Sequence, residues 1–259
     1  TWHHHGEACA SLADYLPHNS GVATILVKQS TGERAVFFEQ STATEPEFLD
    51  THKQLIGSAY ILHINGRHRQ LMRSAIAVAK EVGTIISLDG GAQRYDEDMK
   101  PITEASHIVI VARDYAEKYT GTTNLEEACR IIHERGALVA GVTDGANGSY
   151  FVWPDGTSYR CEPFTQATVV DTTGAGDSFH GAFLANLVHT INHMKGQDTT
   201  STTKHDRASI HAVELLKACA HSDLEKAAIF ASAVASLNTQ GIGGRSPLPT
   251  LKSVQELIG

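Results

Sequence analysis

Cysteine is scarce in this chain. The 259 residues hold four, Cys9, Cys129, Cys161 and Cys219, widely scattered and with no CxxC pair. Such a scatter, with no secretory signal ahead of it, leads to the expectation of a reducing, cytoplasmic compartment. Long apolar runs are also lacking, so no bilayer-spanning segment and no membrane partner is expected. Lys and Arg number 21 against 29 Asp and Glu, a formal charge of −8. No basic cluster is present to neutralise a phosphate backbone, which argues against nucleic acid as a partner. Histidine is plentiful at 15 residues, yet no H-E-x-x-H or comparable spacing occurs. The run His3, His4, His5 lacks the spaced Cys and carboxylate company of a built metal site.

What remains is an ordinary globular composition, 41% hydrophobic and 19% charged. That length and composition suit a soluble protein with one large α/β domain or two smaller ones. Residues 22 to 39, VATILVKQSTGERAVFFE, hold two β-rich runs around Ser30, Thr31 and Gly32. This is the pattern of a hairpin with a short glycine-containing loop. After Pro46 the pattern changes to YILHI, a helical run from Arg69 to Val82, IISLD, HIVIV, a helix from Leu125, and LVAGVT. Short apolar strands alternating with helices predict a three-layer α/β fold, helices covering both faces of a mostly parallel sheet. Asn124 with Glu127, and Ser222 with Glu225, have the spacing of capping boxes, and the second helix is expected to end near Gly241. The polar, aperiodic stretch from Lys195 to Arg207 reads as an exposed loop.

Residues 168 to 187, TVVDTTGAGDSFHGAFLANL, carry the chemistry. A β-branched run leads into a glycine turn and then a helix with Phe179, Ala182, Phe183 and Leu187 on one face. Gly174 and Gly176 let the backbone turn tightly, and the free N–H groups of the first helical turn, from Gly174 through Ala175 to Asp177, form an anion hole. Asp177 follows in that first turn, where its carboxylate stays ionised and can accept a proton from a hydroxyl lying at the same phosphate. Taken alone, GAGD reads rather as a plain turn with an Asp favoured by the helix dipole.

The longer string DTTGAGDSFHGAF resembles the second signature of the ribokinase-like (PfkB) carbohydrate kinases nearly position by position. GVATILVKQSTGERAVFF resembles part of that family's lid sheet, VTDGANGSYF its nucleotide-binding strand and loop, and ASLNTQGIGGRSPLPT its closing nucleotide and cation loop. LHINGRH and VARDYAEKYTG are most similar to the ketohexokinase branch and its relatives, including sulfofructose kinases. The resemblance implies an ATP-dependent kinase acting on a sugar hydroxyl, a ketose favoured, with Mg2+ and a monovalent cation such as K+ as cofactors. It implies a β lid over residues 22–39 and a nucleotide-binding and catalytic domain over 46–259. Asp177 becomes the catalytic base, and Arg67 the residue that reaches the transferring phosphate. Thr143, Gly145 and Gly148 fall in the T-x-G-x-x-G places, and Asn238 where the family packs the adenine. Asp171, the carbonyl of Thr173 and the loop around Gly241 and Ser246 fall at the cation. Asp171 fits equally a turn-former bonding its own backbone. The alternating apolar residues Ala23, Ile25 and Val27 lead to the expectation of a homodimer through the lid.

Two departures from the family pattern stand out. Ala112 and Tyr115 occupy the places of the ribokinase Asn and Glu in an N-x-x-E stretch, as that stretch is also missing from the ketohexokinase branch. The opening strand and "GG…N" sugar-binding segment have no counterpart in these residues. Two other readings compete: a catalytically inactive nucleotide- or sugar-binding member of the same fold, and a Rossmann dehydrogenase. The latter fails on G-x-G-x-x-G, because Phe179 stands at the third glycine place.

Overall fold

Alternating apolar strands and amphipathic helices build a layered α/β structure in the computed structural model, which describes residues 19, 21–28, 34–165, 168–197 and 212–259. Cys9, the triple histidine, Ser30 to Gly32 and residues 198–207 lie outside them. Among the described residues, β1 (Val22–Val27) and β2 (Arg34–Glu39) pair antiparallel as a sheet of their own, with Val22 opposite Glu39 and Leu26 opposite Ala35. The main sheet has six strands in the order β3 (Ile61–Ile64), β4 (Ile85–Gly90), β5 (Ile108–Ala112), β6 (Val139–Thr143), β7 (Ser149–Val152) and β8 (Ser158–Cys161). β3 to β6 are parallel, and β7 and β8 close the edge antiparallel.

The two-residue period of the strands divides the interior into two cores. Ile86, Leu88, Val109, Val111, Ala140 and Val142 face α1 (Asp50–Ser58), α2 (Arg69–Val82), α3 (Lys100–Glu104), α4 (Arg113–Thr120) and α5 (Leu125–Glu134). Their alternates Ile85, Ile108, Ile110, Val139 and Phe151 face α6 (Ala175–Gln197), α7 (Ala212–Ala218) and α8 (His221–Asn238). A last helix, α9 (Leu251–Ile258), packs on α8. The face of α6 read from the sequence is the buried one, with Phe183 and Leu187 essentially inaccessible and Phe151 stacked 5.9 Å from Phe183. No helix of the described residues is long and apolar enough to cross a membrane.

Several local expectations need correction. Asn124 caps α5 by accepting the Glu127 N–H at 3.1 Å, but the Glu127 carboxylate turns to Arg130 at 2.6 Å and leaves the box half made. Ser222 lies inside α8, whose cap position is Ala220, and the helix ends at Asn238, three residues before Gly241. Lys195 to Gln197 finish α6 and do not begin a loop. The run at Thr168 to Val170 joins no sheet; the N–H groups of Val170 and Asp171 both donate to the Thr239 carbonyl, at 2.7 and 3.1 Å. One carbonyl at a helix end thus takes the donors that a neighbouring strand would have used.

Candidate active site

The DTTGAGD segment is held by three parts of the chain that meet at the start of α6. The Asp171 carboxylate, buried at 2% exposure, accepts the Thr173 N–H at 2.8 Å and the Gly243 N–H at 2.9 Å. The first bond is the local turn that the sequence allowed for; the second ties the closing loop to it. Asn238, fully buried at the end of α8, donates from Nδ2 to the Thr173 carbonyl at 3.2 Å. In this conformation Asn238 presents no surface to an adenine; its side chain braces the turn. Gly174 has φ +77°, and a Cβ there would lie 2.6 Å from the Gly244 Cα. Only glycine satisfies both the left-handed backbone and that approach.

The turn delivers α6 with open donors. The Ala175 N–H is directed to the Thr172 carbonyl at 3.3 Å, so it is not a free member of the hole. Gly176 and Asp177 donate from their N–H groups to no acceptor among the described residues. Both residues are exposed, and the Asp177 carboxylate stands beside those donors in the first turn. Unsatisfied N–H groups and the positive end of the helix dipole favour an anion there. Arg67 is exposed in the loop after β3, and its guanidinium lies 4.9 Å over the ring of Phe38 on β2. The hairpin and the loop carrying Arg67 are therefore in contact.

At the end of β6, Thr143 directs its hydroxyl to the Val111 carbonyl at 3.4 Å, and a short 3-10 turn, Gly145–Asn147, follows. The turn is closed locally, Asp144 N–H donating to the Gly148 carbonyl at 2.9 Å. Gly148, at φ +88°, would put a Cβ 2.4 Å from the Cys161 carbonyl oxygen, whereas Gly145, at φ +53°, faces open space. A groove of about 690 Å³, bordered by Arg113, Asn124, Asp144, Tyr150, Ser158 and Arg160, opens on the α5 side of the sheet and meets these residues only through Asp144.

The fit to metal ions differs between the two proposed kinds. Tyr115 is buried, its hydroxyl 2.7 Å from Thr103, and burial pushes its pKa up to about 12. Neither that phenol nor the Ala112 methyl is a magnesium ligand, so these two positions do not fit the ion. The Asp171 turn has the hard oxygens that a monovalent cation takes, and two buried polar atoms beside it, Thr173 Oγ1 and Asn238 Oδ1, have no hydrogen-bond partner.

A group that the sequence reading missed lies beneath this turn. His63 on β3, Ser87 and Asp89 on β4, and His180 on α6 converge at the C-terminal ends of the strands. His63 Nδ1 is 3.2 Å from Ser87 Oγ, and the His63 and His180 rings are 5.8 Å apart. Asp89, at 7% exposure, lies 3.8 Å from His180 Nε2 and 3.6 Å from Arg94. Desolvation and then the neighbouring His180 push the His63 pKa down, against the pull of Asp89 and Asp177. The available signal was position: polar residues ending parallel strands stand where open α/β sheets place ligands.

Comparisons with known proteins bear on this arrangement. The family model described as pfkB family carbohydrate kinase matches residues 13–251. The bifunctional ribokinase/ribose-5-phosphate isomerase A of Fructilactobacillus sanfranciscensis is 25% identical over 248 residues, 92% of this chain and 39% of that protein. The adenosine kinase of Saccharomyces cerevisiae is 28% identical over 171 residues, 59% of this chain and 48% of its own length. With the next relative at 57%, the chain spans 39 to 57% of the length of these curated proteins. Among solved structures, ribokinase from Giardia lamblia matches with a TM-score of 0.72 and 18% identity, over 96% of this chain and 78% of that one. Fructokinase from Vibrio cholerae O395, in a form with fructose, ADP and calcium ion bound, matches with a TM-score of 0.65 and 20% identity, over 92% and 73%. At these identities the structural matches establish the fold.

Proposed function

The chain belongs to the pfkB family of carbohydrate kinases, and on that premise we propose that it is the nucleotide-binding and catalytic part of an ATP-dependent kinase that phosphorylates a sugar hydroxyl, a ketose favoured. The observation that carries the reading is the α6 N-terminus, where the open N–H groups of Gly176 and Asp177 adjoin the Asp177 carboxylate. Phosphoryl transfer asks a protein mainly for positioning and for charge stabilisation. The N–H groups receive the charge on the transferring phosphoryl oxygens, and the Asp177 carboxylate takes the proton of the attacking hydroxyl. Arg67 approaches the same oxygens from the β3 loop, an Arg fork being suited to phosphate. The adenosine lies between the Gly145 turn and the C-terminal end of α8.

A monovalent cation such as K+ would be held by Asp171, the Thr173 carbonyl and the loop around Gly241 and Ser246, adding positive charge behind the hole. Mg2+ would come with the nucleotide phosphates, because Ala112 and Tyr115 offer it no ligand. The hairpin is the lid. Antiparallel partners share a face, so Ala23 and Ile25 lie with Phe38, on the side that meets Arg67, while Val22, Leu26 and Phe37 form the opposite face, all three more than half exposed. A two-stranded sheet with both faces open is marginal alone, and a second copy of this chain is the partner that suits it. Sedimentation at micromolar concentration that gives only monomer removes the dimer.

Asp177→Asn tests the reading, measured with a panel of ketoses, pentoses and nucleosides by ATP consumption and by thermal melting. Asn keeps the volume and cannot take the proton, so turnover falls by about 10² to 10⁴ with little change in melting temperature. Turnover above about a tenth of the unsubstituted protein, or a lowered melting temperature with normal turnover, sinks the assignment. ATP binding without consumption on any member of the panel, by unsubstituted protein, favours the non-catalytic binder.

A further inference from the structure

We propose that His180 is a positioning residue that carries a proton on both ring nitrogens and clamps the Gly176 carbonyl of the anion-binding turn to strand β5. The inference rests on the phosphoryl-transfer reading for its consequence, but its geometry does not. His180 is buried at 4% exposure. Its Nδ1 lies 2.8 Å from the Gly176 carbonyl oxygen, and its Nε2 lies 2.9 Å from the Ile110 carbonyl oxygen. The Asp89 carboxylate adds negative charge, 3.8 Å from Nε2. Carbonyl and carboxylate oxygens only accept, and a neutral imidazole has a single N–H to donate. A neutral ring would therefore point a lone pair at an oxygen in a buried site, leaving two acceptors face to face. Two N–H groups remove that conflict, and Asp89 supplies the counter-charge.

The titratable and charged groups set against the ring agree with this arrangement. β3 brings His63, β4 brings Asp89, and the segment after β4 brings Arg94 to the far side of Asp89. β5 contributes only a carbonyl, and Asp177 lies on the ring's own helix. Burial and, after it, the neighbouring His180 push the His63 pKa down. His63 meets Ser87 Oγ, a group that serves either tautomer.

The consequence concerns the depth of the anion hole. One nitrogen holds Gly176 within the first turn of α6, and the other holds that turn to the middle of a central strand 70 residues away in the chain. The open N–H groups of Gly176 and Asp177 are thereby fixed relative to the sheet, with a positive charge behind them.

The test is ¹H–¹⁵N correlation spectroscopy of the imidazole rings in the full chain at about pH 8, well above the usual histidine titration. The His180 signals are assigned by their loss in His180→Gln. Both ring nitrogens are expected to show protonated shifts, and Asp89→Asn is expected to return one of them to the unprotonated range. One protonated and one bare nitrogen in the unsubstituted protein overturns the proposal. A second arm compares His180→Phe, which keeps volume and loses both donors, with His180→Gln, which keeps one. The expected result is about a tenfold or larger loss of kcat in Phe, partly restored in Gln, with the sugar KM little changed. Unchanged kcat in a folded Phe variant overturns the positioning role. The spectroscopic arm needs no turnover, so it stands even where Asp177→Asn removes the kinase reading.

Discussion

The turn after β6 and the turn ahead of α6 both begin with an aspartate and contain glycine at positive φ, yet they are stabilised differently. The first closes on itself: Asp144 N–H reaches the Gly148 carbonyl, and Asn147 donates from its N–H to the Asp144 carbonyl at 3.0 Å. The second is closed by distant partners, Gly243 on Asp171, Asn238 on Thr173 and Gly244 against Gly174. A self-closed turn keeps its shape while a ligand comes and goes. A turn assembled from three segments keeps its shape only while all three stay in register, and it can therefore couple the closing loop to the anion hole.

The largest effect that would sharpen this contrast is expected from Gly174→Val. A side chain there meets both a forbidden backbone region and the Gly244 backbone, costing about 3 kcal/mol or more. Loss of ATP affinity is expected with it, and a folded variant with unchanged nucleotide affinity by calorimetry breaks the comparison. Asp171→Asn comes next. Asn offers one acceptor oxygen where the carboxylate offers two to the Thr173 and Gly243 N–H groups, so a loss of about 1.5–3 kcal/mol by denaturant titration is expected. Activation by K+ is expected to weaken in the same variant, and K+ dependence identical to the unsubstituted protein removes the cation from this turn. The paired change in the other turn is smaller. Gly145→Ala, in open space, is expected to cost about 1–2 kcal/mol from its positive φ alone, and Gly148→Ala more, because of Cys161. Equal losses in the two, measured by thermal melting, would mean that the Gly148 approach to β8 relaxes freely.

Much of the body was legible in the sequence. The strands at 61–64, 85–90, 108–112 and 139–143 and the helix Arg69–Val82 follow from local apolar runs and the 3.6-residue period, which act over single elements. The first-turn place of Asp177 was legible for the same reason. Asn238 was not: the family resemblance put it at the adenine, and the fold buries it under Thr173. The β-branched run before Asp171 has strand propensity but no strand beside it, and its N–H groups go to Thr239. The exposed apolar face of the hairpin was read as Ala23, Ile25 and Val27; Ala23 and Ile25 are exposed on the face they share with Phe38, and Val22, Leu26 and Phe37 form a second exposed apolar face that the sequence reading did not name.

By itself the sequence determined the alternation of elements, the two cores that the strand period separates, and the chemical kinds of group in DTTGAGDSFH. Those properties depend on neighbours within a few residues. Only the tertiary structure decided which of those groups work together. It left the Gly176 and Asp177 N–H groups open while occupying that of Ala175, turned Asn238 into a brace, and set both nitrogens of His180 against acceptors. The brace and the His180 clamp hang on contacts between residues 65 to 72 positions apart, at Thr173 with Asn238, Ile110 with His180, and Asp171 with Gly243. No local propensity encodes such contacts, because their strength is set by how whole helices dock on the sheet.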